Sequence, residues 1–408
     1  RRAEAHRERT GRERRGGVVL RGLFALWLAV LVGGCVGEGG IGVAPGPNGA
    51  DRPVGGVVEE LGSGGTAVAL LLPIGAGGSA SGLAEAFRNA TELALAETAT
   101  QRIRVLVIDT EGTDTGGRRA AEAAVEAGAG LVLGPVFSPA VSGAAGPARR
   151  GNVPVIAFST DAAVAGDGVW LLSFLPRQDV SRIVGYATAE GAEAIAALVP
   201  DNGYGLVVEA AFRSEAARHG ATVAAVERYA DRDDLAAKAR ALASGGTRVD
   251  AVFVPNGGED PTTAARTLFE NGLERSRVRM LGSGQWDSPA VIGDEALVGG
   301  WYPGPAKSGF ADFAERYRSR YGAPPPRTAS LVYDAVMLAN GLVQAHGPAA
   351  AFARARITSP DGFLGIDGVF RFTGNGLSQR GLAVFMVEPG GSSRVVSPAP
   401  DRFARGNF

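Results

Sequence analysis

Thr66–Pro73 reads TAVALLLP, and Ile103–Asp109 reads IRVLVID. Both are short apolar runs. The stretch between them, from Gly82 to Ala99, places Leu83, Phe87, Leu93 and Leu95 at helical spacing. A buried strand, an Ala-rich helix and a second buried strand form the pattern of a mostly parallel sheet covered by helices. The pattern then repeats. Arg118–Ala127 reads as helix and Gly130–Gly134 as a strand running into the turn Pro135-Val136-Phe137-Ser138. Val141–Arg150 reads as helix, Val153–Ser159 as a fourth strand and Trp170–Phe174 as a fifth.

After Pro176 the same rhythm restarts, with helices predicted over 179–190, 207–219, 235–244 and 262–271 and strands over 194–199, 221–229, 251–255 and 278–282. Two such series in succession imply two lobes. Further helices are expected at Phe310–Tyr321 and Ser330–Gln344. Ile366–Phe372 and Gly381–Val387 alternate apolar and polar residues like an antiparallel hairpin, with Gly374-Asn375-Gly376 as its turn. The expected fold class is α/β, two-lobed, each lobe a mostly parallel sheet flanked by helices. The expected boundaries are 66–178 plus 304–350 for one lobe and 179–303 plus 351–395 for the other. Three crossovers are expected, near Pro176, near Pro303 and around Ala350.

A chain of 408 residues accommodates two such lobes. Apolar residues make up 45% and charged residues 20%, a soluble globular balance. Lysine occurs only at Lys238 and Lys307, while Arg is plentiful and scattered among similar numbers of acids. No basic stripe with interleaved aromatics occurs, which argues against nucleic-acid binding.

Charge is uneven along the chain: residues 1–34 hold eight Arg and three Glu, a net of +5, and the remainder has a net of −6. Gly22–Val32 (GLFALWLAVLV) is apolar for eleven residues. That is short of the ~20 a membrane-spanning helix needs and suits a signal sequence. Val32-Gly33-Gly34 then precedes Cys35, the only cysteine. This resembles a bacterial lipobox, in which the sulfur takes a diacylglycerol. Residues 1–34 are thus expected to be a lipoprotein signal peptide, Cys35 the lipidation site, and 35–65 a flexible Gly/Pro-rich tether. Val36 follows the cysteine where many enteric inner-membrane lipoproteins carry Asp, which points to the outer membrane.

Nothing in the sequence builds a catalytic centre. Beyond the N-terminal segment only His219 and His346 occur, and neither has a metal-ligand neighbour at helical spacing. No nucleophile elbow, Ser-x-x-Lys pair or phosphate loop is present; Gly112–Gly117 (GTDTGG) lacks the lysine. Asp109, Glu111 and Asp114 read as a solvated turn at a strand end. No enzyme activity, cofactor or metal is expected.

Several of these phrases, taken in order, resemble the Leu/Ile/Val-binding family of type I periplasmic binding proteins. They are Val68–Ile74 (VALLLPI), Asp109-Thr110, Leu133-Gly134-Pro135 with Ser138, Val155–Asp161 (VIAFSTD), Asp201-Asn202-Gly203-Tyr204-Gly205, Tyr333-Asp334-Ala335 and Gly362–Phe372 (GFLGIDGVFRF). Within that family LGPV (133–136), VIAFS (155–159), LVPD (198–201) and GSGQWD (282–287) resemble the penicillin-binding protein activators. The resemblance implies a periplasmic, lipid-anchored receptor domain whose partner is a peptidoglycan synthase. The alternative it implies is the solute-binding component of an amino-acid ABC transporter, with a permease and a small amino acid as partners.

In a two-lobed α/β receptor the ligand sits between the lobes, at the carboxyl ends of parallel strands where helix N-termini converge. The turn residues Ser79, Ser138, Ser159 and Thr160 are therefore candidate ligand contacts. Each also has an ordinary use as a helix cap. Tyr204 resembles the family's aromatic lid from the second lobe, although packing a loop is an equal use for it. The family's amino-acid receptors set an acid or aromatic against the ligand's ammonium; Trp286 and Asp287 are the candidates for that place.

Overall fold

The computed structural model describes residues 56–403. The signal segment, Cys35 and residues 36–55 of the expected tether lie outside the described residues.

In chain order the first lobe contains β1 (Val57–Leu61), β2 (Thr66–Leu72), α1 (Gly78–Glu97), β3 (Ile103–Asp109), α2 (Asp114–Glu126), β4 (Val132–Leu133), α3 (Ser138–Arg150), β5 (Val155–Ala157) and β6 (Val169–Leu171). The second adds α4 (Pro176–Ala189), β7 (Ala194–Pro200), α5 (Gly203–His219), β8 (Thr222–Tyr229) and α6 (Arg232–Ser244). It continues with β9 (Ala251–Phe253), α7 (Asp260–Glu270), β10 (Arg279–Leu281), α8 (Pro289–Ile292) and β11 (Trp301–Gly304). The chain returns to the first lobe through α9 (Lys307–Tyr321), α10 (Ala329–His346), α11 (Arg354–Ile357), β12 (Phe363–Gly365), β13 (Gly368–Phe372) and β14 (Ser378–Arg380). It ends in the second with β15 (Ala383–Glu388) and β16 (Ser392–Ser397).

Among the described residues there are three sheets, ordered β1-β3-β2-β4-β5-β6, β16-β15-β11-β10-β9-β7-β8 and β12-β13-β14. The first is parallel except for the edge strand β1; the second is parallel from β8 to β11 and antiparallel at β15 and β16. The continuous apolar strands follow from burial on both faces. Along β2, Val68, Leu70 and Leu72 enter the core shared with α1 and α10, while Ala67, Ala69 and Leu71 enter the one shared with α2 and α3. Along β7, Ile195, Ala197 and Val199 face one core and Ala196 and Leu198 the other.

Most helices begin earlier than the apolar spacing predicts. At α2, α5 and α6 side-chain caps account for the difference: Thr113, Asn202 and Asp231 accept from the Gly116, Gly205 and Asp234 amides. Capped first turns are polar, so they carry no hydrophobic period.

Three features correct the sequence reading. Part of the expected tether is strand: β1 pairs antiparallel with β3 and buries Val57 and Leu61. The expected closing hairpin is divided: β13 pairs with β12 and β14, whereas β15 pairs with β11 in the second sheet. The third crossover therefore falls at 381–382 and not around Ala350. Phe370 and Phe372 pack into the first-lobe core, so the expected assignment of 351–395 to the second lobe holds only from β15 onward. Alternation marks a strand but does not name its partner.

Candidate functional site

The loops that leave the carboxyl ends of both sheets carry the residues singled out above. Ser79 is exposed in the first turn of α1 and Ser138 is half-buried at the start of α3. Neither caps its helix, because the capping positions are Gly77 and Phe137. Ser159 is buried just after β5, and its Oγ accepts from the Asp161 amide at 3.1 Å; Thr160 beside it is exposed. Tyr204 sits in the first turn of α5, where its hydroxyl donates to the Pro255 carbonyl at 3.3 Å. Burial pushes its phenol up.

Trp286 is a correction. It is fully buried in the second-lobe core and its Nε1 donates to the Val254 carbonyl at 3.0 Å, so it cannot reach a ligand between the lobes. Asp287 is exposed, but its carboxylate is taken: Lys307 Nζ lies at 2.5 Å and the Tyr302 hydroxyl at 3.1 Å.

Tyr204 and Asp287 line one cavity of about 270 Å³. Its other walls include all three crossover segments, Phe174–Pro176 from the first, Gly304-Pro305 from the second, Arg380 and Leu382 from the third, together with Gln178, Asp179, Gly284, Gln285 and Arg327. Ser79, Ser138, Ser159 and Thr160 do not line it. A cavity of about 300 Å³ near Asn152 and Phe352 lies at the amino ends of β5 and β6, opposite the edge where such folds bind ligands.

Of the charged residues of the interlobe cavity, the sequence reading named Asp287 but missed Asp179, Arg327 and Arg380. Asp179, in the first turn of α4, accepts from the Gly284 amide at 2.9 Å. Burial pushes its carboxyl up to about 7, against the opposing pull of that hydrogen bond. Arg327, just before α10, forms a two-pronged pair with the fully buried Asp367, at 2.5 Å and 3.0 Å. Its Cζ stacks over Phe310 at 4.2 Å and over Phe174 at 4.7 Å. Arg380 also stacks over Phe174, at 5.0 Å. Burial pulls its guanidinium below its usual range, while Asp367 and Asp334 pull the other way. Asp334 on α10 is itself pushed up to about 7 by burial, opposed by Arg380. An acid in a helix's first turn and an arginine on an alternating strand are unremarkable locally, so of the cavity's residues only Tyr204 and Asp287 were visible in advance. Among the described residues no group of three or more His, Cys, Asp or Glu is placed to hold a metal ion.

Two mostly parallel sheets, three crossovers and a cavity between them define a class of two-lobed receptors. The chain belongs to the periplasmic binding protein family, whose match spans residues 67–392. Among curated proteins none matches by sequence. A solved structure from Rhodospirillum rubrum, assigned to a branched-chain amino acid ABC transporter, is similar at 20% identity and a TM-score of 0.70, over 81% of this chain and 99% of that one. A leucine binding protein from Thermotoga maritima is similar at 21% identity and a TM-score of 0.56, over 82% and 99%. A solute binding protein of an ABC transporter from Rhodopseudomonas palustris, in complex with 3,4-dihydroxybenzoic acid, is similar at 20% identity and a TM-score of 0.58, over 83% and 97%. At these identities the likeness establishes the fold. The family places the protein in the periplasm, among substrate-binding proteins.

Proposed function

We propose that the protein is the solute-binding receptor of an ABC importer and that it holds a small organic ligand between its lobes. The interlobe cavity carries this reading: all three crossovers wall it, so its shape depends on how the lobes are set. A receptor that reports occupancy by closing needs its ligand there. The neighbours' described roles in ABC transport support the same reading. Tyr204 covers the ligand from the second lobe, while Ser79, Ser138, Ser159 and Thr160 lie outside this cavity and are not among its contacts. The protein does no chemistry on what it binds. Docking on a peptidoglycan synthase, favoured by four short phrases, draws no support from the relatives, and the transport alternative takes its place.

Cys35 is the proposed lipid anchor; labelling of the wild type with a radioactive fatty acid, absent in Cys35→Ala, tests it. The receptor reading is tested by thermal unfolding of the full chain against amino acids and small organic acids. A ligand at ~100 times its dissociation constant adds ~2.7 kcal/mol to the folded state. A raised midpoint that disappears in Tyr204→Ala is expected. Absence of any shift, together with recovery of a peptidoglycan synthase in a pull-down, would overturn the reading.

A further inference from the structure

Arg380 is a buried cation without a hydrogen-bond partner among the described residues. It is 7% exposed, and its Nε, Nη1 and Nη2 are all sheltered from solvent without a hydrogen-bond partner. A guanidinium presents five N–H donors, and an uncompensated buried charge is a costly arrangement. The nearby acids leave it unmatched. Asp367 is held by Arg327 and by the Ser330 hydroxyl at 2.7 Å. Asp334 Oδ1 accepts from the Ile366 amide at 2.8 Å, and its Oδ2, also unpartnered, lies against Gly365.

The same cavity holds an acid with no cation beside it. Asp179 accepts one amide hydrogen bond, from Gly284. With its carboxyl near 7, it is protonated for part of the time at neutral pH and can then donate to an anion. The remaining charged or titratable groups on the cavity are Tyr204, Asp287 paired with Lys307, and Arg327 paired with Asp367. Arg380, unlike Arg327, has no hydrogen-bonded acid, and it stands among apolar walls that include Phe174, Leu175, Pro305 and Leu382.

We propose that the interlobe cavity takes a small organic monocarboxylate without an ammonium group, its carboxylate paired with Arg380 and its apolar body against Phe174 and Tyr204. This rests on the receptor reading above. The volume of about 270 Å³ suits a ligand of this size. The guanidinium nitrogens have no solvent access in this structure, so the anion enters with the lobes further apart. Arg380 directly precedes the third crossover and Phe174 lies on the first, so lobe opening moves both. An α-ammonium beside the ligand's carboxylate would stand close to the Arg380 cation, a like-charge cost that a plain carboxylate avoids.

The test is calorimetric titration of the full chain with hydrocinnamate and 4-methylpentanoate, their primary amides, and leucine, at pH 6 and pH 8. Carboxylates should bind at least about tenfold tighter than the amides and leucine. Their affinity should fall about threefold or more from pH 6 to pH 8, as Asp179 loses its proton. Arg380→Gln should lose the carboxylate preference while binding the amides unchanged, and Arg380→Lys should restore part of it. Asp179→Asn should keep carboxylate binding and flatten its pH dependence; this variant decides the matter if Arg380→Gln does not fold. Leucine or amides binding as tightly as the acids, or an Arg380→Gln chain that keeps the preference, overturns the proposal. So does failure of every probe when native mass spectrometry finds a different bound solute, which leaves the receptor reading standing. No solute by either measurement overturns both.

Discussion

Gly282 and Trp286 occupy one space: a Cβ on Gly282 would stand 2.1 Å from the indole Cδ2. The indole fills the second-lobe core and hangs from the Val254 carbonyl by its Nε1. Any side chain at 282 must therefore displace the largest buried residue of that lobe. Gly282→Ala is expected to cost at least ~1–3 kcal/mol through overpacking, and Trp286→Ala ~3–5 kcal/mol through the cavity it leaves. Urea unfolding checks both; an unchanged midpoint for Gly282→Ala would show that the indole can move aside.

Helices α2 and α3 pack through glycine in the same way. A Cβ on Gly143 would lie 2.0 Å from the Asp114 carbonyl oxygen, which is backbone and cannot yield cheaply. Gly143→Ala should lower stability by ~1–3 kcal/mol. Gly341, in the middle of α10, has nothing within 4 Å of the corresponding position. Gly341→Ala should raise stability by ~0.5–1 kcal/mol, from helix propensity alone. The opposite signs, read by urea unfolding, separate packing from propensity.

The Arg327–Asp367 pair makes a different demand. Asp367 is fully buried, so removing only the arginine leaves its charge uncompensated. Arg327→Ala should cost ~3–5 kcal/mol. Adding Asp367→Asn should recover much of that loss, since the neutral amide no longer needs a cation. A double-mutant cycle by thermal unfolding reads the coupling, and strictly additive losses would contradict it.

Asp179 gives a pH signature in stability. Its folded-state carboxyl sits at about 7, above the ordinary 3.8. The folded chain therefore holds the proton more tightly than the unfolded chain, and stability from this group is lost as pH rises from about 4 to about 7. In Asp179→Asn the amide cannot ionise, yet its oxygen can still accept from Gly284. The variant should thus be more stable than wild type at pH 8, by ~1–3 kcal/mol. The advantage should shrink steadily between pH 7 and pH 4, as followed by urea unfolding across that range. A pH-independent difference would show that the carboxyl titrates in its ordinary range.

The two-lobed α/β architecture was legible in the sequence because apolar runs, helical spacing and turn chemistry are properties of neighbouring residues. TAVALLLP at 66–73 is a strand buried on both faces wherever it lies, and the restart after Pro176 counts the lobes. Tyr204 was visible for the same reason, as part of a continuous phrase. What the tertiary structure alone decided is pairing across distance. β1 became an edge strand only because β3 offered its free side. β15 left the apparent hairpin because β11 was the better-placed neighbour. Trp286 went inward, away from any ligand, because Gly282 left room for it. The charged residues of the cavity come from positions as far apart as Asp179 and Arg380, brought together by crossovers. Hydrophobic periodicity reports which face of an element is buried. Which charges face each other, and which are left unpaired, depends on the positions of the other elements, and no local pattern encodes that.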